Sequence, residues 1–256
     1  MAHQCHLDIF TYISSYEVLQ NSFDFSSSEQ NGTHQLSEQD FRKCGVELTP
    51  KQNELFNGIK RNTLTSIQGP AGTAKTFVAC YTALALLATK KVDRIILTKP
   101  IKESGESLGA LPGDIGEKVE PFMQSYLSNF NKIIGSEITG MLVASGEIEI
   151  QPLAYMRGNS YDNCVMLLDE AQNCTTKQLM LWGTRLGNDS RAILMGDTSQ
   201  YDVRKNESGF ASFIQMVEGM DDLLNFKFLN EDIVRNKFLI ELTNRYDKYR
   251  SDNNLD

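Results

Sequence analysis

Residues 66–76 read Ser-Ile-Gln-Gly-Pro-Ala-Gly-Thr-Ala-Lys-Thr, a stretch that predicts a strand end, a glycine-containing loop and the first turn of a helix. In such a loop the backbone N–H groups can point at phosphate oxygens, and the positive end of the following helix dipole favours the same anion. We expect Lys75 to reach the β- and γ-phosphates of a nucleotide and Thr76 to bind Mg²⁺. The residues expected to cradle the phosphates are Gly69, Pro70, Ala71, Gly72, Thr73 and Ala74.

The loop departs at one position from the usual pattern G-x-x-x-x-G-K-[ST], because the second glycine is replaced by Ala74. A methyl group is tolerated by α-helical φ and ψ. Phosphate binding should therefore be retained if Ala74 lies within the helix turn.

The flanking sequence supports a phosphate loop over the ordinary alternative, a glycine turn before a core helix. Residues 62–67 are rich in β-branched side chains, as a strand requires, and residues 77–87 are apolar almost all round. Further apolar strand-like runs occupy residues 92–98, 148–153, 165–169 and 191–196, with helical segments between them. This alternation predicts an α/β fold with a parallel sheet covered on both faces, and ligands beyond the carboxyl ends of the strands.

Two acidic residues follow the predicted strand that ends at Leu168. Asp169 is placed to hold Mg²⁺ or its water, and Glu170 can activate a water for in-line attack on the γ-phosphate. The alternative is a plain helix N-terminus whose dipole favours acidic residues. The phosphate loop some 90 residues earlier makes that alternative the weaker one.

The sequence Gly196-Asp197-Thr198-Ser199-Gln200 follows the next strand. Gln200 has both a donor and an acceptor with which it could detect the γ-phosphate. The same residues are also good turn formers. We favour the γ-phosphate sensor because the sequence falls at the expected strand end.

Composition indicates one globular domain after a polar arm. The chain has 256 residues, of which 41% are hydrophobic, and residues 1–50 carry two basic side chains against seven acidic ones. We expect a poorly ordered arm over residues 1–48 and a domain over residues 49–256. The net charge of −8 argues against a protein that holds duplex nucleic acid on a broad basic face. The absence of cysteine pairs, membrane spans and a signal sequence favours the cytoplasm and no membrane partner.

Taken together, these residues resemble the PhoH-like family of P-loop ATPases, which are similar to the first motor domain of superfamily-one helicases. The resemblance covers roughly residues 49–249 and implies a three-layer RecA-like fold with a mainly parallel sheet. Besides the two nucleotide motifs, the stretches that carry it are Leu97–Pro100, Leu108–Asp114, Pro152–Gly158, Gly196–Gln200 and Asp232–Arg235.

The resemblance also implies roles for four further residues. Gln52 matches a glutamine that pairs with the adenine edge, which favours ATP over GTP, although an exposed helix residue would look the same. Lys99 matches a basic position that meets a nucleic-acid backbone, with a solvated lysine as an equal alternative. Arg157 and Arg235 match arginines of the family, and either could be a charge-stabilising finger from a neighbouring subunit or a surface salt-bridge residue. We expect Arg235 just inside a helix that spans residues 232–249.

The expected activity is hydrolysis of ATP with Mg²⁺, coupled to single-stranded RNA or DNA. A motor that moves as a monomer needs a second domain of about 100 to 150 residues, and only 56 residues follow Gln200. We therefore expect a homo-oligomer, such as a hexameric ring, with active sites completed between subunits. The alternative is a nucleotide-controlled binding module with little or no turnover.

Overall fold

A computed structural model of the chain describes residues 36–100, 115–197 and 208–253. Residues 1–35 of the predicted arm, the family stretch at residues 108–114 and the predicted sensor Gln200 lie outside them. The described helices are α1 Glu38–Lys43, α2 Pro50–Arg61, α3 Lys75–Ala88, α4 Ile115–Ile134, α5 Ser136–Ala144, α6 Thr176–Gly183, α7 Phe210–Val217 and α8 Lys237–Asp252. The strands are β1 Leu64–Gln68, β2 Arg94–Thr98, β3 Ile148–Ile150, β4 Cys164–Leu168, β5 Arg191–Gly196 and β6 Leu223–Lys227.

The strands form one sheet in the order β3-β2-β4-β5-β1-β6, and every neighbouring pair is parallel. In the register, Ile67 of β1 lies beside Met195 of β5, and Leu97 of β2 lies beside Leu167 of β4. Parallel strands all present their carboxyl ends at one edge of the sheet. The loops after β1, β2, β4 and β5 therefore meet at this edge.

Two hydrophobic cores cover the two faces of the sheet. One core packs α2, α3, α4 and α5 against the sheet around Leu55, Leu84 and Phe130, and the other packs α6 and α7 around Trp182 and Phe210. The central strand β4 is buried along its whole length, as a strand covered on both faces must be. This arrangement confirms the predicted three-layer α/β fold of RecA-like type with a parallel sheet.

Two elements differ from the sequence-based predictions at the sheet edges. The predicted strand over residues 148–153 ends at Ile150, because Pro152 begins a short 3₁₀ helix at Leu153–Tyr155. At the opposite edge β6 was not predicted, since Leu223–Lys227 is only partly buried and lacks a continuous apolar run. Its position beside β1 nevertheless places the following residues next to the phosphate loop.

The structure also differs from the predicted arm over residues 36–48, which pack on the domain. Leu36 is buried in the main core, and Phe41, Cys44 and Leu48 pack against that core. The Phe41 ring lies 4.9 Å from the ring of Tyr81 on α3. The polar composition of residues 1–48 gave no indication of these contacts, because the apolar residues that attach α1 to the core are few and widely spaced.

No helix in the described parts of the chain combines the length and apolar character that a membrane span requires. At 20 residues α4 has the length of a span. Its sequence contains Glu117, Lys118, Glu120 and Lys132, however, and such charges are costly within a bilayer. The cytoplasmic location stays a prediction.

Candidate nucleotide site

The loop between β1 and α3 has the backbone shape that a phosphate group needs. Gly72 has a φ of +88°, and a Cβ added there would lie 2.7 Å from Leu239 Cδ2, so the position requires glycine. Its carbonyl accepts a hydrogen bond of 3.0 Å from the backbone N–H of Val234, which fixes the loop against the segment before α8. Because α3 has no side-chain cap, the N–H groups of its first turn are left for an anion.

Ala74 does not lie within the helix turn, so the condition for tolerating its methyl group is not met. Its φ of 67° and ψ of 28° are left-handed, and it forms the N-cap of α3. For an L-residue this conformation costs about 1–2 kcal/mol, whereas glycine adopts it readily. The departure from the usual glycine therefore introduces backbone strain at the residue before Lys75.

The ammonium group of Lys75 lies inside the loop that precedes it. Its Nζ donates to the carbonyl of Gly69 at 2.6 Å and to that of Pro70 at 2.9 Å. Burial lowers the pKa of Lys75 from its ordinary value of 10.5, and the carboxylates of Asp197, Asp169 and Glu170 offset part of this effect. The site thus holds a partly desolvated cation where phosphate oxygens would be stabilised.

Thr76 and Asp169 meet on the other side of the loop. Thr76 Oγ1 donates to Asp169 Oδ2 at 3.1 Å, and the Asp169 side chain is buried at the end of β4. Burial raises the pKa of Asp169 above its ordinary value of 3.8, Glu170 raises it further, and Lys99 and Thr76 oppose the shift. A cation beside this buried carboxylate would favour its charged form.

A divalent metal fits these two residues. Mg²⁺ in phosphate-transfer sites takes one or two protein oxygens and completes its shell with waters and phosphates. Within the described residues there is no cluster of three or more His, Cys, Asp and Glu side chains that could hold a metal alone. The predicted pair, Thr76 and Asp169, is therefore suited to a magnesium ion that arrives with a nucleotide.

Glu170 follows in a left-handed conformation, with a φ of 55° and a ψ of 39°. Its carboxylate lies 4.0 Å from Lys99 Nζ and accepts a hydrogen bond of 2.6 Å from Gln172 Nε2. Lys99 also donates to Ser125 Oγ at 3.4 Å and is mostly buried, so it is not a freely solvated lysine. Non-glycine residues with positive φ are uncommon, and such strain is often found at functional sites.

These groups line one cavity of about 420 Å³. Lys75, Thr76, Asp169 and Glu170 lie together there, as the sequence predicted. The cavity also contains residues that sequence reasoning missed, namely Ser125, Asn129 and Lys132 from one face of α4, Gln172, and Asp197. The 3.6-residue spacing of the three polar residues on α4 was the available signal.

Arg235 lies at the same cavity, but it is not inside a helix as predicted. Residues 233–235 connect a 3₁₀ helix at Asn230–Asp232 to α8, which begins at Lys237 with Asn236 as its N-cap. The neighbouring Val234 is bonded to Gly72, and a Cβ added to Gly72 would lie 3.4 Å from Arg235 Cβ. Arg235 is therefore adjacent to the phosphate loop of its own chain.

The other predicted arginine, Arg157, lies in an exposed turn after β3 and does not line this cavity. The turn is anchored by the buried side chain of Met156, which accepts a hydrogen bond from Thr98 Oγ1 at 3.6 Å. A role for Arg157 at the site of its own chain has no support in this geometry. Its role as a finger toward another subunit stays a prediction.

Gln52 has a structural function in α2. Its Oε1 accepts from the Thr49 N–H at 3.1 Å, and its own N–H donates to Thr49 Oγ1 at 3.3 Å, which completes a capping box. The side chain is buried and does not line the cavity of the phosphate loop. The adenine contact predicted for Gln52 stays a prediction, as does the γ-phosphate sensor at Gln200.

The sequence of this chain is similar to those of known proteins. The sequence model of the family described as "PhoH-like protein" matches residues 46–247. The chain belongs to the PhoH-like protein family. A PhoH-like protein of Bacillus subtilis (strain 168) is 41% identical over 201 residues, a match that covers 78% of this chain and 63% of the relative. Protein PhoH of Escherichia coli (strain K12) is 35% identical over 187 residues, covering 72% and 53%.

A PhoH-like protein of Mycobacterium tuberculosis (strain ATCC 25618 / H37Rv) is 37% identical over 209 residues, covering 80% of this chain and 59% of the relative. The chain thus spans 53% to 63% of the length of these PhoH-like relatives. Among solved structures, the Pif1 helicase from Candida albicans aligns with a TM-score of 0.38 at 14% identity, covering 72% of this chain and 40% of that one. The Hef helicase domain of Pyrococcus furiosus aligns with a TM-score of 0.41 at 12% identity, covering 69% and 37%.

Proposed function

We propose that this PhoH-like protein binds ATP with Mg²⁺ and hydrolyses it. The observation that carries the proposal is the convergence of Lys75, Thr76, Asp169 and Glu170 on one cavity, with the Thr76–Asp169 contact at its centre. Each of these groups has the charge and position that phosphoryl transfer to water requires. Membership in a family of P-loop proteins supports the same reaction class.

The geometry supports the following proposed roles for these residues. Backbone N–H groups of the loop and the first turn of α3 bind phosphate oxygens, and Lys75 moves from the Gly69 and Pro70 carbonyls to the β- and γ-phosphates. Thr76 and Asp169 hold the metal, which supplies charge stabilisation of the phosphate oxygens when bound. Glu170 accepts a proton from the attacking water, and Arg235 stabilises the charge that develops on the γ-phosphate.

We further propose that hydrolysis is coupled to single-stranded RNA or DNA and that the protein works as a homo-oligomer. The oligomer is supported by α8, which has no buried residue and leaves large apolar side chains exposed: Phe238, Leu242, Tyr246 and Tyr249. Lys99 is mostly buried between Ser125 and Glu170. A nucleic-acid strand that displaced Lys99 would therefore change the surroundings of Glu170, the proposed general base.

The test is steady-state ATP hydrolysis with and without single-stranded RNA and DNA, together with a mass measurement with and without nucleotide. Turnover that depends on Mg²⁺ and rises with one polymer supports the proposal. The absence of turnover in a folded protein that binds ATP would overturn the hydrolytic part.

The second candidate is a nucleotide-controlled binding module with little turnover. Two observations favour it: the left-handed Ala74 beside Lys75, and the engagement of both Glu170 oxygens by Lys99 and Gln172. In this case nucleotide binding alone would change the conformation. Limited proteolysis or mass measurement with a non-hydrolysable ATP analogue would then give the same result as ATP.

A further inference from the structure

The side chain of Gln172 joins the residue after β4 to the end of β5. Its Nε2 donates to Glu170 Oε2 at 2.6 Å, and its Oε1 accepts from the backbone N–H of Asp197 at 3.1 Å. Gln172 is only 4% exposed, so water does not replace either contact freely. One amide thus connects the proposed base to the first residue of the loop that carries the predicted sensor Gln200.

The orientation of this amide is set by its neighbours. The N–H of Asp197 can only donate, so the oxygen of the amide must face it, and the nitrogen must then face the Glu170 carboxylate. A rotation of the amide by 180° would bring two donors together on one side and two acceptors on the other. Gln172 can therefore make both bonds at once in one orientation only.

Gly196, at the end of β5, lies close to the Gln172 amide. A Cβ added to Gly196 would lie 2.8 Å from Gln172 Oε1 and 2.6 Å from Phe210 Cε1. The end of β5 thus approaches Gln172 as closely as a glycine allows.

We propose that Gln172 is a positioning residue that holds the Glu170 carboxylate in its reactive place while its amide oxygen is fixed by the N–H of Asp197. Such support matters because the backbone of Glu170 is left-handed and strained, and its other oxygen lies 4.0 Å from Lys99 Nζ, beyond hydrogen-bond distance. This inference rests on the proposed hydrolysis of ATP.

The test is a double-mutant cycle between positions 170 and 172. Gln172→Met keeps the length of the side chain and removes both hydrogen bonds, and Gln172→Glu keeps the acceptor for Asp197 but removes the donor to Glu170. Loss of an outer-shell partner of this kind typically costs 10- to 100-fold in activity. We expect both variants to lower kcat about 10- to 100-fold, with the Kd for ATP and Mg²⁺ unchanged.

The decisive measurement is made in the Glu170→Gln background by single-turnover hydrolysis of radiolabelled ATP. If Gln172 acts through Glu170, Gln172→Met should reduce the rate of the double variant by less than about twofold, since the base it positions is already absent. If Gln172 only stabilised the fold, the rate reductions caused by Gln172→Met and by Glu170→Gln would multiply in the double variant. Gln178→Ala is the matched control, because Gln178 only caps α6 through Thr175 in the same region.

The outcomes separate the inference from the function on which it rests. A wild type without turnover overturns the proposed hydrolysis and the inference together. An active wild type with an inactive Glu170→Gln and a fully active Gln172→Met overturns the inference alone. Multiplicative effects of Glu170→Gln and Gln172→Met would also overturn it.

Discussion

Thr76 Oγ1 donates a hydrogen bond to Asp169 Oδ2 across 3.1 Å, and this contact joins residues that are 93 positions apart in the chain. Thr76 lies in the first turn of α3, which follows β1, and Asp169 directly follows β4; in the sheet, β5 lies between β1 and β4. The contact depends on the ionisation of a buried carboxylate, which makes it sensitive to pH.

Asp169→Asn should make the protein more stable than the wild type at neutral pH in EDTA. The pKa of Asp169 is raised above its unfolded value of 3.8, so the folded state loses stability as pH rises through the folded-state pKa. An asparagine keeps similar contacts without the buried charge. The difference in melting temperature should shrink as pH falls toward 3.8. Asp221→Asn, at an exposed carboxylate, should change stability by less than about 0.5 kcal/mol.

Lys75→Ala should abolish ATP binding and leave the fold intact. Two charge-assisted hydrogen bonds to phosphate, at about 1.5 kcal/mol each, correspond to at least a 100-fold loss of affinity. Calorimetry gives the affinity, and circular dichroism checks the fold. Lys91→Ala removes an exposed lysine just beyond the other end of α3 and should bind ATP normally. Unchanged affinity in a folded Lys75→Ala variant would remove the phosphate loop from the proposed site.

Glu170→Gln should bind ATP and Mg²⁺ as the wild type does and hydrolyse ATP at least about 100-fold more slowly, as expected when a positioned general base is lost. The glutamine keeps the size of the side chain but cannot accept the proton of the attacking water. Initial rates of phosphate release measure the effect. Wild-type turnover in this variant would exclude Glu170 as the base.

Ala74→Gly should stabilise the protein by about 0.5–1 kcal/mol. Relief of the left-handed strain at a φ of 67° is worth about 1–2 kcal/mol, and the greater freedom of glycine in the unfolded chain removes about 0.4–1 kcal/mol of it. Urea unfolding measures the difference. Ala71→Gly, three residues earlier at a negative φ, should instead destabilise the protein. If Ala74→Gly and Ala71→Gly lowered the free energy of unfolding by the same amount, the backbone strain inferred at Ala74 would be contradicted.

Arg235 should act within its own subunit. In mixtures of Glu170→Gln and Arg235→Ala subunits, ATP hydrolysis should equal the sum of the separate activities, because each cavity lacks one of the two groups. The same mixture with Arg157→Ala tests whether that exposed arginine serves a neighbouring subunit. Recovery of activity in the Arg235 mixture would show that Arg235 reaches across an interface.

The parts of the fold that sequence predicted are those with a strong local pattern. The apolar runs of β1, β2, β4 and β5 and the motif residues at their carboxyl ends were enough to place Lys75, Thr76, Asp169 and Glu170 at one edge of a sheet. Parallel pairing then brings these residues together with no further information.

The parts that sequence missed depend on long-range packing or on backbone conformation. The polar edge strand β6 is defined by pairing with β1, and α1 is anchored by contacts of Leu36 and Phe41 with the core. Helix α8 begins later than predicted because Asn236 caps it: the Oδ1 of Asn236 accepts a hydrogen bond of 2.9 Å from the N–H of Phe238. The left-handed φ of Ala74 and the two bonds of Gln172 have no local sequence signal.

The pairing of β1 with β6 also affects how the protein folds during synthesis. Ser66 on β1 donates to Asn225 on β6 at 2.6 Å, a contact between residues 159 positions apart. At 5–20 residues per second, a ribosome needs roughly 10 to 30 s to make the chain between them. The contacts of Gly72 with Val234 and Leu239 form later still, because these two residues are synthesised after Asn225. The phosphate loop is therefore made well before the residues that complete its packing, and a nascent chain should acquire nucleotide affinity only after residues through Leu239 have been synthesised.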